Sequence, residues 1–211
     1  MSAAATSRGL ARWRTRRGSV RALRGVPPNR KLVLHVGSGP RHADALHPRF
    51  RGPDWHEVRL DIDPSVKPDI VASIVDMSCV DSESVDAVWS SHNLEHVYAH
   101  EVPLVLEGFW RVLRPGGEAL VTMPDLQAAA KFIANGKLED TAYQSPAGPI
   151  APLDMVYGHR VSIARGNEFM AHRTGFTAST LNAKLQKAGF RPVVVQRGKD
   201  LALWATAEKP G

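Results

Sequence analysis

At 211 residues and 43% hydrophobic content, the chain is long enough for one globular domain with a sizeable core. A single cysteine, Cys79, excludes an internal disulfide and suits a reducing, cytoplasmic setting, and no run approaches the roughly 20 apolar residues of a membrane-spanning helix. The net charge of +6 is unevenly placed: residues 1–31 hold nine of the 27 basic residues and no acid, which leaves 18 basic against 21 acidic residues, a net of −3, for the rest.

The basic stretch, residues 1–29, closes with Val26-Pro27-Pro28-Asn29 and is set apart as an N-terminal arm. Its arginines, from Arg8 to Arg24, suit a solvated tail, a docking element for nucleic acid or a membrane surface, or an acid-free targeting peptide. No apolar h-region follows, so a secretory signal is not expected. Lys31 to Val36 predicts a buried first strand closed by Gly37-Ser38-Gly39. Pro40, Pro48, Gly52 and Pro53 then leave little room for a long helix. His56 to Ile62 alternates as a second strand, ending in Asp61-Ile62-Asp63. Asp69 to Val75 reads as a third strand ending at Asp76-Met77, and Val85 to Ser90 as a fourth, followed by Ser91-His92.

Asn93 to Leu113 is helical with a break at Pro103: a short helix to about His100, then a longer one from about Val102. Val102, Val105, Leu106, Phe109 and Val112 give the longer helix one apolar face. Arg114-Pro115-Gly116-Gly117 stops it before a fifth strand, Glu118 to Met123. Residues 124–176 depart from this rhythm. Asp125 to Asn135 fits one helix, and the remainder is rich in Pro, Gly, His and Arg. Thr177 then caps a helix bearing Leu181, Leu185 and Ala188, with Gly189 beyond its end. Arg191 to Gln196 and Leu201 to Ala207 have hairpin spacing. The pattern predicts an α/β fold with a seven-stranded mixed sheet between helices: five parallel strands joined by right-handed crossovers, then an antiparallel hairpin. Residues 30–211 form one domain, with 124–176 as an insertion.

Open parallel sheets bind ligands at the carboxyl ends of their strands. Gly37-Ser38-Gly39, Asp61 and Asp63, Asp76, and Ser90-Ser91-His92 all sit at such ends, a set that suits a nucleoside-containing ligand. A dinucleotide would call for G-x-G-x-x-G, but position 42 is His42, so a nicotinamide dehydrogenase is disfavoured.

These stretches together resemble the class I S-adenosylmethionine-dependent methyltransferases of the broad type 11 group. LVLHVGSG resembles their glycine-rich first motif, VRLDID the ribose-side strand, SIVDM the adenine-side motif, VDAVWSSHNLEHV the fourth strand and its turn, and RVLRPGGEALVTMPDL the fifth-strand region. The resemblance spans about Leu32 to Leu126 and implies a Rossmann-like doubly wound sheet. It further implies S-adenosylmethionine as cofactor: Gly37, Ser38 and Gly39 near its methionine part, Asp61 with Ile62 on the ribose and Asp63 in reserve, Asp76 and Met77 flanking the adenine, Ser91 and His92 on the way to the acceptor. The chain departs from the family at His35, where an acid is usual, and at Arg41, where the third glycine would fall.

A general base helps methyl transfer only where the acceptor carries a proton, and histidine suits that near neutral pH. His92, His96, His159 and His172 are the candidates. The insertion, with Tyr143, Tyr157, Arg160, Phe169, Arg173 and neighbours, is the expected cap over a small-molecule acceptor, methylated on O or N. An RNA or protein acceptor docked by the arm, and a non-catalytic binding protein, are the alternatives. No metal site is expected: His92-x-x-x-His96 has helical spacing, but Glu95 is misplaced for H-E-x-x-H. Cys79 has no C-x-x-C partner and reads as packing.

Overall fold

The computed structural model describes residues 29–42 and 44–211, so readings of the arm before Asn29 lie outside the described residues. The strands are β1 (Lys31–Val36), β2 (Trp55–Asp61), β3 (Ile70–Val71), β4 (Val85–Ser91), β5 (Leu113–Pro124), β6 (Tyr143–Ser145), β7 (Gly148–Ile150), β8 (Val193–Arg197) and β9 (Ala202–Glu208). The helices are α1 (Val102–Val112), α2 (Leu126–Ala134), α3 (Pro152–Tyr157), α4 (Arg160–Ala164) and α5 (Ala178–Lys187). Seven strands form one sheet in the order β3-β2-β1-β4-β5-β9-β8. Of these, β9 alone runs opposite to the other six. The seven-stranded mixed sheet and its terminal hairpin are as the sequence predicts.

β1 occupies the middle of the parallel set, and five of its six residues are buried, which its near-continuous apolar run dictates. Register does the next job. Val36 pairs with Leu60 on one side and Ser90 on the other, so Gly37, just past β1, stands level with Asp61 and Ser91, the last residues of β2 and β4.

The third strand is far shorter than predicted. After Val71 the chain turns: Ser73 Oγ accepts from Val75 N–H (3.2 Å) and its carbonyl from Asp76 N–H (3.1 Å). Ile74 and Met77 are buried by that turn, not by pairing in a ladder. α1 starts with Pro103 in its first turn and buries the face expected of it. The short helix before it contracts to a 3-10 turn, Leu94–His96.

The main core lies between one sheet face and α1 and α5. The other face is closed by a smaller cluster in which Phe50, Leu46, Trp55 and Trp204 pack around Val33, Ala87, Trp89 and Leu120. Among the described residues, the connection from β1 to β2 holds only a 3-10 turn, Pro48–Phe50, as its prolines require.

The insertion is more regular than its composition suggests. α2, capped by Asp125 on Gln127 N–H (3.0 Å), is followed by a separate antiparallel pair, β6–β7, and by α3 and α4. Ala129, Ile150 and Met155 form a core of their own. Asp154, 6% exposed, ties it together by accepting from Ala151 N–H (2.9 Å) and Arg160 Nε (2.9 Å). No described helix is long and apolar enough to cross a membrane.

Candidate active site

The glycine turn is built from the strand ends. Gly37 and Gly39 both adopt left-handed backbone, φ +60° and +58°, which a side chain resists. A Cβ on Gly37 would stand 2.5 Å from Asn93 Cγ, whereas one on Gly39 would meet nothing within 4 Å. The first glycine is thus required by packing, and the second leaves open space. Gly39 N–H donates to Asp61 Oδ2 (2.8 Å), and Asp63 N–H to Asp61 Oδ1 (2.9 Å). One buried carboxylate therefore joins the turn after β1 to the turn after β2, and still has lone pairs to offer.

The sequence reading missed Arg59. Placed on the polar beat of β2, it is nonetheless 2% exposed. Its guanidinium donates to the carbonyls of Gly39 and Lys67 (3.0 Å to Lys67), strapping the glycine turn to the loop beyond β2. His35, the departure from the family pattern, is also buried, with Nδ1 2.6 Å from Glu57 Oε1. Burial pushes the Glu57 carboxyl up, but the hydrogen bond and charge of His35 more than offset this and hold it below its ordinary value.

These turns form one side of a cleft of about 540 Å³, within the usual range for small-ligand sites. Gly37, Gly39, Asp61, Ile62 and Asp63 line it, as do Ser73 to Val75, which stand where Asp76 and Met77 were expected. Asp76 and Met77 themselves do not line it. Met77 is in the core, and Asp76 is exposed, its carboxylate accepting from Ser78 N–H (3.0 Å). Both are displaced because the third strand ends five residues earlier than Asp76. Ser38 is buried with an unpartnered Oγ, and Ser91 lies off the cleft wall.

At the other end the wall is His92, Asn93 and His96, joined by Asn167, Phe169, Met170 and Arg173 from the insertion. Arg173 N–H and Thr174 N–H both donate to the Glu95 carbonyl (2.8 and 3.1 Å), which fastens the insertion to the turn after β4. Arg173 stacks over Tyr98 at 4.8 Å. Two of the four histidine candidates, His92 and His96, line the cleft. His172 packs edge-on against His96, ring centres 4.9 Å apart. His159 lies away from it, bonded to Ser162 Oγ (2.8 Å).

Electrostatics concentrates on Glu95, 1% exposed. Burial raises its pKa, but His92, His96 and His172 more than offset this and keep it below the usual carboxylate value. His92, 3.4 Å away, holds left-handed backbone at φ +47°, a strain typical of functional positions. Desolvation lowers its pKa, and the Glu95 carboxylate more than compensates, so it titrates above an ordinary histidine. His172 titrates below one, chiefly through desolvation.

Residues 34–121 match the family profile described as "Methyltransferase domain". The matched stretch, from β1 to β5, is similar to methyltransferase domains. Solved structures agree on the fold. A Methanosarcina mazei S-adenosylmethionine-dependent methyltransferase is 17% identical with a TM-score of 0.56, over 86% of this chain and 93% of that one. A Burkholderia thailandensis 1,6-didemethyltoxoflavin-N1-methyltransferase, with 1,6-didemethyltoxoflavin and S-adenosylhomocysteine bound, is 16% identical with a TM-score of 0.55, over 91% and 80%. A complex between the Haloferax volcanii Trm112 methyltransferase activator and a methyltransferase gives 14% and 0.55, over 90% and 88%. No curated protein sequence matches significantly. The cleft has features that suit a nucleoside-containing ligand: open space beyond Gly39, an orphaned buried Ser38 Oγ and a carboxylate with spare acceptor capacity.

Proposed function

We propose that the chain methylates an O or N atom of a small molecule held between the strand ends and the 124–176 insertion. The observation that carries this reading is the single cleft that runs from the glycine turn and Asp61 to His92, His96 and four side chains of the insertion. Gly37, Ser38 and Gly39 would lie along the methionine part of the cofactor, Asp61 would take ribose hydroxyls, and the Ser73–Val75 wall would face the base. When bound there, S-adenosylmethionine supplies a methyl already activated on a sulfonium.

The chain's own residues would then orient the acceptor and exclude water, which supplies much of the rate in such a transfer. Phe169, Met170 and Arg173 give the acceptor end an apolar wall with one cation. His92, backed by Glu95, is placed to take the acceptor's proton, with the carboxylate stabilising the imidazolium that forms. The test is calorimetry with S-adenosylhomocysteine, followed by assay of S-adenosylhomocysteine release against phenols, amines and carboxylic acids. A folded chain that binds no S-adenosylhomocysteine overturns the reading.

A further inference from the structure

Beside the cleft, side chains from two distant stretches meet. The ligand atoms of Glu95, His96 and His172 all lie within 4.8 Å of one another. We propose that these three residues bind a divalent first-row transition cation, with zinc as the reference occupant.

The carboxylate is the first argument. Glu95 is 1% exposed, and neither of its oxygens has a hydrogen-bond partner. A buried charge is costly unless it is paired or ligates a metal. The closest cation-forming group, His92 Nδ1, stands at 3.4 Å and leaves the second oxygen without a partner. The imidazoles are the second argument. His96 Nδ1 lies 3.1 Å from the Ala171 carbonyl, and His172 Nδ1 lies 3.0 Å from the Met155 carbonyl. A carbonyl only accepts, so each Nδ1 carries the proton, and each neutral ring keeps its lone pair on Nε2. A backbone carbonyl on the far ring nitrogen is how metal-binding histidines are oriented and held in the right tautomer.

The frame is already fastened. The Glu95 carbonyl takes two amides from residues 173 and 174, and Gly158 bridges Ala171. Three ligands of the His₂Glu type leave a coordination position open, as catalytic zinc sites do. Two nitrogens and one oxygen suit zinc, iron(II) or cobalt(II), whereas calcium and magnesium prefer oxygen throughout. Tetrahedral zinc at about 2.0–2.1 Å sets its ligands about 3.4 Å apart, so small ring rotations complete the site. His96 and His172 are 76 residues apart in the chain, which is why spacing alone gave no metal motif. The site stands on this geometry. Its link to the reaction, through His96 on the cleft wall, rests on the methyltransferase reading.

The experiment uses the full chain without a histidine tag, stripped with a chelator and titrated with Co²⁺ by visible spectroscopy and with Zn²⁺ by calorimetry. One equivalent is expected to bind. Glu95→Gln and His172→Ala should each weaken binding at least about 100-fold, beyond the loss typical of outer-sphere changes, and the exposed His100→Ala should leave it unchanged. No uptake by the folded wild type, or unchanged uptake in either ligand variant, overturns the proposal. Should a variant unfold, the wild-type Co²⁺ spectrum decides: intense four- or five-coordinate bands support the site, and the weak spectrum of hydrated six-coordinate Co²⁺ refutes it. S-adenosylhomocysteine calorimetry on the metal-free chain keeps failure here distinct from failure of the methyltransferase reading.

Discussion

Gly37→Ala tests whether the glycine turn is shaped by packing or only by backbone freedom. The residue sits at φ +60°, where an L side chain costs about 1–2 kcal/mol. The new Cβ would stand 2.5 Å from Asn93 Cγ, well inside the roughly 3.5–4.0 Å of a comfortable contact. Overpacking of that kind adds about 1–3 kcal/mol. The expected loss is therefore about 2–5 kcal/mol, a large share of the 5–15 kcal/mol typical of a domain, and about 4–20 °C in Tm at this chain length. Urea melts followed by circular dichroism measure it. The two contributions separate in a double-mutant cycle with Asn93→Ala, which removes the collision and leaves the backbone strain. A coupling of about 1–3 kcal/mol is expected. If Gly37→Ala costs the same with and without Asn93, the packing argument is refuted.

Asp61→Asn is nearly isosteric but removes the charge and sets an NH2 against one of the two N–H donors, Gly39 or Asp63. S-adenosylhomocysteine affinity should fall about 10- to 100-fold, the worth of one or two charge-assisted hydrogen bonds, as read by calorimetry. Arg59→Met should destabilise the chain by about 3 kcal/mol, because the carbonyls it serves are left bare in a buried site, and a denaturant melt will show it. His92→Gln should lower kcat about 10²- to 10⁴-fold with little change in KM, the usual contribution of a general base, once an acceptor is in hand. Asp154 links the insertion to pH. Burial pushes its carboxyl up, but the Arg160 and backbone hydrogen bonds more than offset this and hold it below the ordinary value. Its contribution is therefore fully present above the unfolded value near 3.9 and is lost as pH falls through the lower folded value. Hydrogen exchange within 140–160 should accelerate over that acid range in the wild type, and Asp154→Asn should flatten the dependence.

Much of the fold was readable because buried parallel strands announce themselves as short apolar runs between glycines and acids. The exceptions share one cause: sequence pattern reports periodicity, not partners. Asp69 to Val75 has a strand's composition, but only two residues of it pair with β2, and its later apolar residues are buried by a turn. That shortening moved Asp76 and Met77 off the cleft. Arg59 falls on the beat that alternation assigns to solvent, yet it is buried because the loop after β2 folds over it and supplies carbonyls. The insertion's elements run from three to nine residues, mostly too short for a period to be seen. The grouping of Glu95 with His172 depends wholly on the chain returning to the β4 turn, which no local window contains.

The aromatic cluster that closes the second sheet face pairs two indoles that can serve as an intrinsic optical probe. Trp89 and Trp204 stack at 5.9 Å with their planes 20° apart, and His47 sits 5.2 Å from Trp89. The Trp89 indole N–H also donates to the Ala45 carbonyl (3.2 Å) in the stretch between β1 and β2. That stretch follows the glycine turn in the chain, and the turn lines the cleft. Their emission and near-ultraviolet dichroism offer a label-free test of whether filling the cleft shifts that stretch, with Trp110 on α1 as an internal reference.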